Sequence, residues 1–199
     1  SPGSAWAKQV FPDLEERDAI SSLAKAIFSI SRVDNPDPIA AWEKHQQTLT
    51  SRQNWLNEKN FSALRYSAPG TDLTIGLAKG HEWKGGASTS KNGITCTPNI
   101  PTEEVFTTPH SHRVDGCVRA TKPLVYRGTL IDGIEVEFEK GKITKARADK
   151  GEEVFLNLLD TDEGARRLGE VALVPHSSPI SESGLLFYNT LYDENASCH

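Results

Sequence analysis

The chain has 199 residues, 22 of them basic and 27 acidic, for a net charge of −5. That length holds one domain, or at most two small ones, with room for a sizeable core. An apolar share of 37% and a charged share of 25% exclude wholesale disorder. No basic stripe marks a nucleic-acid binder, and the longest apolar stretches, such as Val171–Pro175, are too short to cross a bilayer.

The first fifty-odd residues carry a helical period. Asp13 and Glu16 have the spacing of a capping box, and Ile20, Leu23, Ile27 and Ile30 then form one apolar stripe. Asn35-Pro-Asp-Pro38 ends that helix and starts another, with Asp37 as N-cap and Pro38 at the first helical position. Ile39, Trp42, Leu49 and Leu56 line its buried face. His45 falls on the same stripe and reads as a packed, hydrogen-bonded structural histidine rather than a ligand or base.

From Phe61 the period changes to two. Ser62–Ser67 and Asp72–Leu77 flank the turn signal Ala68-Pro-Gly70, which is a hairpin pattern. Residues 79–102, rich in Gly, Ser, Thr, Lys and Pro, read as a long loop. Strands come next at 114–120, 129–138 and 143–148, and Ile134, Val136 and Phe138 face opposite to Glu135, Glu137 and Glu139. Val154, Phe155, Leu158 and Leu159 restore a helical period, and Thr161 is placed to cap a continuation through Leu168. Glu170–Val174 and Leu185–Leu191 read as buried strands. The fold class is therefore α+β. Two N-terminal helices (1–57) precede a mixed, mostly antiparallel sheet with an interrupting helical pair (58–199), both parts of one domain.

Cys96, Cys117 and Cys198 are odd in number and form no CxxC pair, which excludes a fully paired disulfide framework or a zinc ribbon and points to a reducing compartment. With no methionine, the chain reads as an excised piece of a larger protein, and Ser1-Pro-Gly-Ser4 as a junction left by trimming.

The chemistry is expected at element edges. Glu103-Glu104 closes the long loop, Glu170 opens an apolar strand, and Asp193-Glu194 and His199 come after the last strand. Carboxylates at such positions are partly desolvated, and a divalent cation offsets that cost. Several carboxylates with one imidazole suit a hydrolytic site holding one or two divalent metals better than a thiolate site. For any single Glu, a solvated edge residue or a salt bridge is the plainer reading, so the case depends on convergence. Other motifs fall short. His81-Glu82 lacks the second histidine of HExxH, and Lys84-Gly85-Gly86 lacks the spacing of a phosphate loop. No GxSxG is present, and Cys198 reads as a small buried cysteine rather than a nucleophile. His110 and His112, in a loop after Pro109, read as surface or outer-sphere histidines, and His176 as exposed.

Four blocks then carry a likeness: Thr71–Leu77, Pro98–His110 (PNIPTEEVFTTPH), Leu159–Pro175 (LDTDEGARRLGEVALVP) and Tyr192–His199 (YDENASCH). Together they resemble the M29 family of metallo-aminopeptidases, with the likeness running from about Trp6 to the last residue. The resemblance implies a two-domain, cytoplasmic, dimeric enzyme that removes N-terminal amino acids from peptides. It implies two divalent metal ions, Zn, Co or Mn, and no nucleic-acid or membrane partner.

Carried over by position, the first metal-binding glutamate of the family matches Glu104, and the second, bridging one matches Glu170. The histidine ligand matches His199, and Glu194 matches a further acidic position. The catalytic division this implies is Glu170 as bridge and Glu104 as base or ligand. Family members continue past this histidine to a tyrosine and a His-x-Asp pair, so the chain is expected to be a C-terminally truncated, inactive segment. Two rivals to this reading are a metal-free glycoside hydrolase using Glu104 and Glu170 as a carboxylate pair and a non-catalytic dimerisation scaffold.

Overall fold

The structure is a computed structural model that describes residues 2–199. It opens on α1 (Ser4–Val10), a short helix that the sequence pattern does not set apart, and then α2 (Glu16–Ile30) and α3 (Pro38–Lys59). Asp13 does not cap α2. Glu15 occupies that position without a side-chain bond, and Glu16 and Asp18 place negative charge near the positive end of the helix instead. Asp37 does cap α3, its carboxylate accepting from Ala40 N–H at 3.0 Å. Leu49 and Leu56 are buried on α3 as expected, whereas Ile39 is 74% exposed. In that first turn Trp42 makes the tertiary contacts: its indole N–H donates to Ser31 O at 2.8 Å and its ring lies under the Arg32 guanidinium.

The hairpin is β1 (Ala63–Ala68) and β2 (Thr71–Leu77), paired from Ala63↔Gly76 to Ala68↔Thr71 around Pro69-Gly70. Gly70 has φ +78°, which the tight turn requires and a side chain would strain. The long loop holds a miniature hairpin of β3 (Ser88–Thr89) and β4 (Thr95–Cys96) before β5 (Val105–Thr107). Next come β6 (Pro109–Arg119), β7 (Leu124–Tyr126), β8 (Thr129–Ile131), β9 (Glu135–Glu139) and β10 (Lys142–Arg147). His110 and His112 thus lie on a strand and not in a loop. The expected strand 129–138 is two strands, separated where Gly133 takes φ +65°.

Helix α4 (Glu152–Leu159) comes next, and the expected second half of a helical pair does not form. The Thr161 hydroxyl donates back to Leu158 O at 2.8 Å, and Asp162 accepts from Gly164 and Ala165 N–H at 2.7 and 2.9 Å. These local bonds hold a turn where the pattern calls for helix. The chain closes with β11 (Val171–Leu173), α5 (Pro179–Ser183) and α6 (Thr190–Glu194). Leu185–Leu191 is therefore not a strand. The Asp193 carboxylate accepts from Phe187 N–H at 2.8 Å and Asn189 N–H at 2.9 Å, and Phe187 O accepts from the Trp6 indole. Backbone groups that a sheet would use are taken by side chains.

The residues gather into two compact units: Ser1–Trp55 with Lys84–Val105 and Ala172–His199, and Leu56–Trp83 with Phe106–Val171. The first unit is built on Ala7, Ala19, Leu23, Ile30, Ile180, Phe187 and Ala196, all essentially buried. Each large apolar side chain there contributes about 1.5–3 kcal/mol. The second unit is built on an antiparallel sheet in the order β1-β2-β6-β9-β10, in which Leu73, Ile75, Val114, Val136, Phe138 and Ile143 are buried. Among the described residues, no helix is long and apolar enough to cross a membrane.

Candidate metal centre

Glu103 and Glu104 lead directly into β5 and are both buried, at 2% and 7% exposure. Buried carboxylates need partners, and the two find different ones. Arg32 grips Glu103 with two hydrogen bonds, at 2.5 and 3.0 Å. His45 stands behind this pair, its Nε2 2.7 Å from Thr102 O and its Nδ1 3.3 Å from Arg32. Those partners select the neutral tautomer with Nε2–H donating and Nδ1 accepting. Burial pushes the His45 pKa below its usual value, and the cations of Arg32 and Arg52 add to that against the opposing pull of Thr102 and Glu103. His45 is thus a packed, hydrogen-bonded histidine.

Glu104 meets His199. Its Oε2 lies 3.1 Å from His199 Nε2. The contact falls outside strict hydrogen-bond angles, yet it is close enough for the buried carboxylate to pair with the ring. The imidazole is held by its backbone, since His199 and Ala172 exchange N–H···O bonds at 2.7 and 3.2 Å. Its Nδ1 lies 3.3 Å from Ser197 O, which leaves Nε2 as the atom offered to a ligand. Burial presses the ring toward its neutral form, but the Glu104 carboxylate, Ser197 O and the Glu194 charge outweigh it, and the His199 pKa stands raised.

Glu170, exposed, immediately precedes β11 and stands two residues before Ala172, the backbone partner of His199. Glu104 and His199, both in the first unit, each offer a ligand atom to a common point, while Glu170 lies near the end of the second unit's stretch of chain. Glu194, half-buried at the end of α6, is near enough to act on the His199 charge. A carboxylate with an imidazole is a donor set for a divalent metal. A buried carboxylate such as Glu104 carries charge that a cation would offset.

The remaining histidines do other things. His81 Nδ1 lies 3.0 Å from Ala78 O, and the exposed His176 bonds Ser181. His110 and His112 meet edge to face, with the His112 N–H donating to His110 Nδ1. Cys198 is exposed and not buried, like the other two free cysteines, with its sulfur 3.5 Å from Val174 N and O. Sequence patterns give no warning of Arg32, Asn195 or Gly85 around this centre. Gly85 packs so close that a Cβ there would sit 2.7 Å from Glu104 O. Its one sequence signal is the Lys84-Gly85-Gly86 run, which suggests a different chemistry.

A family model described as thermophilic metalloprotease (M29) matches residues 1–199. Aminopeptidase T of Thermus aquaticus is 57% identical over 194 residues, 98% of this chain and 48% of that protein. Aminopeptidase 2 of Geobacillus stearothermophilus is 54% identical over 198 residues, again 48% of its length. The solved structure of wild-type AmpT from Thermus thermophilus superposes with a TM-score of 0.92 at 53% identity, covering 99% of this chain and 48% of that one. The chain spans about half the length of the curated relatives it matches. With its whole extent matched, and with the fold of a relative more than half identical in sequence, the chain belongs to the M29 family of metalloproteases.

Proposed function

We propose that the protein of which this chain forms part is a metal-dependent aminopeptidase, a hydrolase that removes N-terminal amino acids from peptides. The observation that carries this reading is the meeting of the buried Glu104 carboxylate with the His199 imidazole, Oε2 3.1 Å from Nε2. Membership of a metalloprotease family and the aminopeptidase names of the relatives support peptides as the substrate class.

In this reading Glu104, Glu170 and His199 hold metal, with Glu194 as a further acidic group of the site. Two divalent ions, Zn, Co or Mn, would supply an acidified water and a polarised peptide carbonyl. Glu104, buried against His199, serves as a ligand. Glu170, exposed, would be the ligand the two ions share, and a glutamate beside the activated water would pass its proton to the departing amine. The acidic side chains also attract the positively charged terminus of the substrate. The whole enzyme is a cytoplasmic homodimer, and the three free cysteines of this chain suit a reducing compartment. The 199-residue chain alone, about half of the relatives' length, is inactive or nearly so.

The test is the complete protein, stripped with chelator and reloaded with Zn, Co or Mn, given peptides with free and with acetylated N-termini. Release of the first residue should return with metal and require the free amine. Loaded protein that never releases it would sink the reading. Chelator-resistant cleavage of glycosides would favour a carboxylate-pair mechanism instead.

A further inference from the structure

We propose that Asn195 is the positioning residue that sets the spacing between Glu104 and His199; this rests on the reading of those two side chains as metal ligands. Asn195 comes directly after α6 and is fully buried, at 0% exposure. Its Oδ1 accepts from Glu103 N–H at 2.7 Å, and its Nδ2 donates to Leu191 O at 2.9 Å. Its own carbonyl accepts from the Ser178 hydroxyl at 2.8 Å. Ser178 is equally buried and is itself fixed, accepting from Ile180 and Ser181 N–H at the start of α5. Both ends of the amide and the adjacent carbonyl are therefore occupied, and the side chain has no freedom to drift.

The bond to Glu103 joins segments 92 positions apart in sequence. One end is the residue before Glu104, and the other lies four residues before His199. At the far side of this frame His199 is pinned to Ala172 by its paired backbone bonds. The Arg32 grip on Glu103 fixes the residue directly before Glu104. Asn195 supplies the remaining constraint, the distance between the strand entry and the turn that presents the imidazole. An amide suits the task because it donates and accepts at the same reach, whereas Ala does neither. Ligand geometry tolerates about 0.5 Å of error, so slack at this one bond is felt at the metal.

The test compares the complete protein with Asn195→Ala and Ser178→Ala, the second being the milder change that leaves the amide in place. Co2+ affinity is read by absorbance titration and calorimetry, and amide exchange of residues 101–105 and 196–199 by mass spectrometry in the metal-free protein. Asn195→Ala is expected to bind Co2+ about 10–100-fold more weakly, the usual effect of losing a support behind a ligand. It should also speed exchange in both segments together. Ser178→Ala should move both readouts in the same direction by less. Leu49→Ala, which opens a cavity at a buried site on α3, should lower the melting temperature and leave Co2+ affinity unchanged.

Unchanged affinity in both variants would overturn the proposal, as would faster exchange confined to one segment. An unsubstituted protein that binds no Co2+ brings down the ligand reading alone; the exchange data still decide the role of Asn195.

Discussion

Arg32 and Glu103, 71 positions apart, form a bidentate ion pair in which the carboxylate is almost wholly buried. Removing one partner from such a pair leaves an uncompensated charge, at a cost of about 3–5 kcal/mol. Arg32→Ala should therefore lower unfolding free energy by about that much, read by denaturant titration. Arg32→Lys should recover only part of it, since an ammonium cannot reproduce the fork.

His45 gives the first unit a pH dependence with a definite sign. Its folded-state pKa is depressed below the ordinary 6.5, chiefly by burial, so the unfolded chain binds the proton more readily. The stability it contributes is complete above pH 6.5 and is lost as pH falls below that value through the folded pKa. Melting temperatures taken from pH 7.5 down to pH 5 should fall more steeply in the parent than in His45→Gln. Parallel profiles would show that His45 contributes nothing.

Glu104 should separate metal binding from folding. At a metal concentration of 100 times Kd, a ligand that binds only the native state adds about 2.7 kcal/mol. Stability of the complete protein should rise by that amount on loading with Zn2+ or Co2+ and return to its starting value with chelator. Glu104→Gln keeps the shape of the side chain but weakens affinity by at least tenfold, about 1.4 kcal/mol, as calorimetry would read directly.

Gly85 is expected to be intolerant for a local reason. A Cβ there would meet Glu104 O at 2.7 Å and Val105 Cγ1 at 2.9 Å, so the segment that carries Glu104 into β5 must move. Gly85→Ala should destabilise by about 1–3 kcal/mol and weaken metal affinity with it. Gly169→Ala, with nothing within 4 Å, should leave stability unchanged. Comparable melts for the two variants would contradict this.

Legibility in the sequence tracks the range of each interaction. Asp37-Pro38 and Ala68-Pro-Gly70 act on their immediate neighbours, and the helix start and hairpin they announce are present. The alternation of Val136 and Phe138 with charged glutamates reports one buried face, and the strand is there. The errors come where a side chain competes with the backbone. Asp162 turns a helical pattern, and Asp193 takes the amide hydrogens that Leu185–Leu191 needed for a sheet. Glu104 and Glu170 stand out because carboxylates beside apolar runs are unusual. Arg32 and Asn195 resemble any surface Arg or Asn until the fold brings Glu103 to them.

The core of the first unit draws on Ala7 near one end of the sequence and on Phe187 and Ala196 near the other, with Trp6 bonded to Phe187 across 181 positions. On the ribosome, α1 and α2 must wait until the distant residues that cover them are made, at about 5–20 residues per second. The segments 56–83 and 106–171, by contrast, are all available earlier. The sheet is thus free to form while the first helices still expose Leu23 and Ile30, and during that interval these helices are natural clients for a chaperone.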